Sequence, residues 1–154
     1  MNLLEELRKP IMWEFEGNES EFEENIFINI NEIVELMGLP QISAKERQVQ
    51  IRFNGYQAIM DIVVRHVDGS ATIFEVKKAN QKHPSTAPVL QMNAIGQLLL
   101  YKSVFKAKTN VTPRLVLIDN KIYERTYYAF IDSDLPIALM ELQKDRVFIP
   151  YRAF

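Results

Sequence analysis

The chain has no cysteine, so it can form neither a disulfide nor a thiolate metal site, which suits a reducing compartment. It has no apolar run long enough to cross a bilayer. Its opening residues, Met-Asn-Leu-Leu-Glu-Glu-Leu, lack the basic start and apolar middle of a secretory leader. A soluble, cytoplasmic protein with no membrane partner is the expectation. There is no internal repeat and no low-complexity tract. The only histidines, His66 and His83, show no ligand spacing, and His66 reads as a strand-end residue rather than a catalytic base. With 154 residues, 47% of them hydrophobic, the chain can bury one sizeable core but is too short for two ordinary domains.

Charge of one sign is also missing locally. From Val76 to Arg114 there is no acid, while seven bases (Lys77, Lys78, Lys82, Lys102, Lys106, Lys108 and Arg114) and His83 are present. From Met1 to Met37 the balance reverses, with ten acids against two bases. A basic segment of this kind raises the local concentration of a polyanion although the formal net charge is −2. Taken alone, it reads more simply as a solvated helix face and loop.

Leu3, Leu4 and Leu7 suggest a short amphipathic turn, stopped by Pro10, that serves as a packing or oligomer arm. Phe22, Ile26, Ile30, Ile33 and Met37 recur at the period of one helical face, with Gly38 and Pro40 closing that helix. Alternation over Glu46 to Phe53, then Asn54-Gly55, predicts a strand and a type I′ turn into a second strand, Tyr56 to His66. Asp68-Gly69 predicts another tight hairpin, with both turn residues suited to positive φ, leading to a third strand, Ala71 to Lys77. Asn80 to Pro88 reads as an exposed loop of the kind that touches substrate, and Val89 to Phe105 as a helix with Asn93, Gln97 and Tyr101 stacked four apart. Arg114 to Ile118 has the continuous apolar character of a buried parallel strand. Beyond it, Lys121 to Phe130 suggests a helix, and Ile137 to Gln143 with Arg146 to Tyr151 a terminal hairpin about Lys144-Asp145.

The chemistry is concentrated between Asp61 and Lys77. Strand alternation sends Glu75 and Lys77 one way while Phe74 and Val76 point into a core, and the hairpin returns Glu75 toward Asp61. Carboxylates inside an otherwise apolar strand are costly unless paired or bound to a metal. An Asp followed at a distance by Glu-x-Lys is a weak signal by itself. Its placement on the second and third strands, followed by Gln-x-x-x-Tyr (Gln97 to Tyr101) on the next helix, is stronger.

At these residues the chain resembles the PD-(D/E)XK nuclease superfamily, and most of all the RecB-like and NucS-type endonuclease domains. The resemblance spans roughly Ser20 to Asp119 and implies an α/β (α+β) fold with a restriction-endonuclease-like αβββαβ core, a mixed sheet flanked by helices. The expected organisation is one domain, 1–154, with an arm at 1–18, the core at 20–119 and an extension at 120–154. One departure is that the glycine often placed just before the aspartate stands at Gly55, which makes the intervening strand long.

The resemblance implies Mg²⁺, or Mn²⁺ in its place, ligated by Asp61, Glu75 and the Val76 carbonyl, because hydrolysis of a phosphodiester needs charge neutralisation and an activated water. It makes Lys77 the group that orients the water or helps deprotonate it and stabilises the transition state, and Gln97 a contact to the metal-bound water or the scissile phosphate. Tyr101 would support Gln97 or touch the DNA backbone. Superfamily members often add an acid from the first helix; Glu23 is the choice here and Glu21 the second. Lys78, Lys82, His83 and Lys102 join Tyr101 as candidate nucleic-acid contacts. The implied activity is metal-dependent cleavage of DNA. No appended sequence reader is visible, so structure-specific cutting or nicking fits best, and cutting both strands calls for a homodimer or two events. The rival readings are an inactive nuclease-fold binding or protein-interaction module and an RNA-cleaving effector.

Overall fold

The helical face read at Phe22, Ile26, Ile30, Ile33 and Met37 is buried throughout, none of these side chains being more than 3% exposed. In the computed structural model, which describes residues 5–7, 17–78, 85–143 and 146–154, that face belongs to two helices rather than one. Helix α1 (Glu19–Ile28) passes at Asn29 into α2 (Ile30–Leu36). Asn29 causes the break locally: its side-chain amide donates to the Asn25 carbonyl at 2.8 Å, competing with the helix ladder, and its backbone departs from helical geometry. Helix α1 starts on a capping box. Asn18 accepts from the Glu21 N–H at 2.9 Å while the Glu21 carboxylate returns to the Asn18 N–H.

In the terminal segment, the described residues Glu5–Leu7 are a strand, not part of an amphipathic turn. β1 (Glu5–Leu7) pairs antiparallel with β7 (Arg146–Tyr151), and the cross-strand bonds supply what a free helical turn of this length could not. Leu3 and Leu4 lie outside the described residues. The meander is built from β2 (Ile42–Phe53), β3 (Tyr56–His66) and β4 (Ala71–Lys77). Asn54 and Gly55 both take positive φ, 48° and 82°, as a type I′ turn requires. The second hairpin differs from the expectation. Only Gly69 is left-handed, at φ 87°, and Asp68 instead binds the Ser70 N–H and hydroxyl at 2.9 and 2.6 Å. The aspartate side chain thus makes an Asx-type closure that a two-residue type I′ loop would not need.

After β4 the chain crosses through α3 (Ala87–Thr109) to β5 (Arg114–Asp119), and α4 (Glu124–Ile131) leads to β6 (Ile137–Gln143) and β7. The seven strands among the described residues form one sheet in the order β1-β7-β6-β5-β4-β3-β2, parallel at β4–β5–β6 and antiparallel elsewhere. The terminal hairpin is present, with Gln143 opposite Arg146, and β6 also continues the parallel part of the sheet. Lys144 and Asp145 lie outside the described residues.

Both sheet faces are covered. Ile62, Val64, Phe74, Val76, Val116 and Ile118 pack beneath α1 and α2, while Val63, Ile73, Leu115 and Leu117 pack with Leu98 and Phe105 of α3. His66 is a structural strand-end residue, 2% exposed, with one ring nitrogen on Thr72 Oγ1 at 2.8 Å and the other on the Pro40 carbonyl. The alternation of β3 is broken at one point. Ile62 belongs to the α1 side, yet Ala58 and Met60, which simple alternation would place with it, belong to the α3 side. The faces exchange between the pairs Arg47↔Ile62 and Val49↔Met60, where Gln48 has a left-handed φ of 51° opposite Asp61. The far half of the β2–β3 ribbon is thereby turned onto α3.

Candidate active site

The ladder between β3 and β4 reaches the pair Ile62↔Phe74, and Asp61 and Glu75 are the next residues beyond it on their strands. Asp61 Oδ2 accepts the Val76 N–H at 2.8 Å, so a carboxylate occupies a position that a strand carbonyl would otherwise take. That bond orients Asp61 at the mouth of a cleft of about 300 Å³ lined by Glu19, Ser20, Glu23, Arg47, Gln48, Asp61 and Val76.

Glu75 is more deeply placed than alternation on a half-buried strand implies. Because the β4 face opposite Phe74 and Val76 is covered by α3, Glu75 is only 2% exposed. Its Oε2 is buried without a hydrogen-bond partner. Burial first, and then the hydrogen bond and negative charge of Asp61, push the Glu75 carboxyl up to about 10, against opposing pulls from Lys77 and the Tyr101 hydroxyl. Tyr101 in turn is pushed up by its own burial and by the charges of Glu75 and Asp61. Lys77, two residues beyond Glu75 on the same face, is half-buried and in register with Asp119 of β5. The structure thus brings together Asp61, Glu75, Lys77 and Tyr101.

Glu23 approaches Asp61 from α1. It is 6% exposed and forms an ion pair with Arg47 at 2.8 Å, and burial, followed in the same direction by Asp61, raises its carboxyl above the ordinary range. Glu21 is instead consumed by the α1 capping box, and Glu24 faces solvent. Gly17 stands before that box at φ 108°, and a Cβ there would come within 2.5 Å of the Glu21 carboxylate.

Two of the candidate nucleic-acid contacts point inward. Lys78 is 9% exposed and turned inward, its ammonium donating to the Gly17 carbonyl and its N–H to Glu19 Oε1 at 2.9 Å, so it ties the end of β4 to the start of α1. Tyr101 is 8% exposed and its hydroxyl meets Glu75, because the helical face that is solvated at Asn93 and Gln97 has rotated into the core one turn later. Gln97 is exposed and Lys102 half-buried on α3. Lys82 and His83 lie outside the described residues.

Three groups escape sequence reasoning. Arg47 and Gln48 read only as polar positions of an alternating strand, and the chain offers no local sign of the left-handed backbone at Gln48. Gln91 is the third. From inside α3 it donates to Asp119 Oδ2 at 2.8 Å and to the Lys121 carbonyl at 2.7 Å, and accepts from Thr126 Oγ1 at 2.6 Å and Tyr123 N–H at 3.0 Å. With this buried network it fixes the turn after β5 beside Lys77. A polar side chain inside an apolar helix stripe is the signal that could have found it.

Among the described residues, no group of three or more His, Asp or Glu side chains is arranged to hold a metal ion. Asp61 and Glu75 are the two side-chain carboxylates that a cation between β3 and β4 would meet. They fit one: the unpartnered Glu75 oxygen and the adverse environment of its charge are what a cation would relieve.

No protein-family model matches the chain, and no curated protein matches it. Among solved structures, the crystal structure of a repair endonuclease from Pyrococcus abyssi is similar over 85% of this chain and 49% of its own, with a TM-score of 0.56 and 19% identity. The chain thus spans about half the length of that structure. The fold is restriction-endonuclease-like, a mixed sheet flanked by helices with the expected helix, three strands, helix and strand at its centre. No described helix is long and apolar enough to cross a membrane.

Proposed function

We propose that this chain is a metal-dependent nuclease of the PD-(D/E)XK type that hydrolyses DNA phosphodiester bonds. The observation that carries the reading is the meeting of Asp61, Glu75 and Lys77 at the end of the β3–β4 ladder, with Glu75 buried and one of its oxygens unpartnered. Buried carboxylates left in this condition lower stability, and a functional requirement explains their retention. The similarity in fold to a repair endonuclease supports the same reading.

Asp61, Glu75 and the Val76 carbonyl would hold Mg²⁺ or Mn²⁺. Such an ion neutralises charge on the phosphate and lowers the pKa of a bound water. The chain's own residues supply the rest. Lys77 places a compact positive charge beside the two carboxylates, suited to orienting water and to opposing charge that develops on the phosphate. Tyr101 holds Glu75 in orientation through its hydroxyl. Gln97, exposed one turn earlier on α3, is available to water or phosphate, and Lys102, Lys82 and His83 are the candidate contacts to the backbone of a nucleic acid.

The test is cleavage of supercoiled, linear and branched DNA, with single-stranded RNA alongside, in Mg²⁺ or Mn²⁺, comparing the wild type with Asp61→Ala and Lys77→Ala. Metal-dependent cutting that falls by about 100-fold or more in both variants is expected, in line with the cost of removing one preorganised charged group. Cutting that both variants retain, or a wild type that cuts no substrate in either metal, would refute the assignment. Preference for RNA would keep the site and change the substrate.

A further inference from the structure

Arg47 and Gln48 stand where β2 bends, and their side chains reach the same acid. Arg47 Nη2 donates to Glu23 Oε2 and Gln48 Nε2 to Glu23 Oε1, each at 2.8 Å, so both Glu23 oxygens are engaged by this chain. The Gln48 amide continues to Asp61 Oδ1 at 3.4 Å, the long end of hydrogen bonding, while Asp61 Oδ2 takes the Val76 N–H at 2.8 Å. Two carboxylates face this amide, so its NH₂ end must point toward them, and its orientation is dictated by its neighbours. A non-glycine residue at φ 51° is disfavoured and persists where surrounding contacts over-determine it. The same backbone turn exchanges the faces of the β2–β3 ribbon and aims Gln48 between the two acids.

Resting on the nuclease reading, we propose that Arg47, Glu23 and Gln48 form a positioning relay that fixes the rotation of the Asp61 carboxylate, with Glu23 acting through Gln48 rather than as a ligand of the cation. Each Glu23 oxygen already accepts one hydrogen bond from β2, which turns this carboxylate toward Arg47 and Gln48 and leaves the Gln48 amide as its link to Asp61. Arg47 balances the charge of Glu23, Glu23 orients the Gln48 amide, and the amide holds one oxygen of Asp61 while Val76 holds the other. This is the outer support that a ligating carboxylate commonly needs.

A packing role for the Arg47–Glu23 pair, pinning α1 to the sheet, would affect stability but not metal affinity. Calorimetric titration of the full chain with Mn²⁺ at fixed pH, paired with melting temperatures in chelator, separates the two. The proteins are the wild type, Asp61→Ala, Glu23→Gln, Gln48→Ala, Gln48→Gly and the double variant Glu23→Gln/Gln48→Ala. The relay predicts that Glu23→Gln and Gln48→Ala each weaken Mn²⁺ binding by about 10-fold or more at unchanged stoichiometry. It also predicts that the double variant is no weaker than the worse single one. Gln48→Gly, which relieves the left-handed backbone, should weaken Mn²⁺ binding without lowering the melting temperature. Loss of a bound ion in Glu23→Gln that Gln48→Ala retains would make Glu23 a ligand and overturn the relay, as would multiplicative effects in the double variant or wild-type affinity in both singles. A wild type that binds no Mn²⁺ would bring down the nuclease reading itself, and the relay with it.

Discussion

Substituting Glu75 by Gln should make the metal-free protein more stable at neutral pH. The Glu75 carboxyl stands at about 10 in the fold, against 4.5 ordinarily, because it is buried and faces Asp61. A carboxyl raised in this way keeps its proton in the native state while the unfolded chain gives it up, so stability falls as pH rises from about 4.5 toward about 10. At pH 7 the folded group is still protonated, and the penalty depends only on the distance from the unfolded value. At about 1.4 kcal/mol per pH unit it amounts to roughly 3 kcal/mol. Glutamine has nearly the same shape, no charge, and a carbonyl that still accepts from Tyr101. The variant should therefore match the wild type near pH 4.5 and gain steadily above it, reaching roughly 6–12 °C in melting temperature at pH 7 for a chain of this size. Thermal melts in chelator from pH 5 to pH 9 measure this. A gain independent of pH, or a uniform loss, would show that Glu75 is ionised in the fold and balanced by Lys77, and the inference from its burial would fail.

The same proton must leave when a cation binds. Apparent Mn²⁺ affinity should rise by up to about tenfold per pH unit between pH 6 and pH 8, with about one proton released per ion. Calorimetry in buffers of different ionisation enthalpy reads both, and an affinity flat in pH would show that Glu75 is not a ligand. Tyr101→Phe should weaken Mn²⁺ binding several-fold by removing the hydroxyl that favours ionised Glu75, while leaving DNA binding in Ca²⁺ nearly unchanged. The opposite pattern would restore Tyr101 as a contact to the nucleic acid.

Much of this architecture is legible in the chain because it rests on local rules. The buried stripe from Phe22 to Met37, the Asn54-Gly55 turn, the bounds of β3 and β4 and the apolar run of β5 each come from periodicity or turn chemistry. What escapes reading depends on distant partners. The terminal strand β1 forms because β7 offers an edge to pair with, and Lys78 turns inward because Gly17 and Glu19 await it at the start of α1. Alternation correctly puts Glu75 and Lys77 on one face, but it cannot say that α3 covers that face and leaves Glu75 nearly as buried as Phe74.

The site shows the same division. Asp61, Glu75 and Lys77 are legible as residue types on two neighbouring strands, whereas the bend at Gln48 is not, since nothing within β2 favours a left-handed residue there. That bend does two things at once. It sends Ala58 and Met60 to the α3 core, and it leaves Asp61 at the point of exchange, with one oxygen on Val76 and the other toward Gln48. The hydrophobic burial obtained by wrapping the ribbon on α3, at about 25 cal/mol per Å² of apolar surface, offsets a backbone conformation costing on the order of 1–3 kcal/mol. The strain is therefore carried by the core, and the aspartate is held in position by packing that lies outside the site.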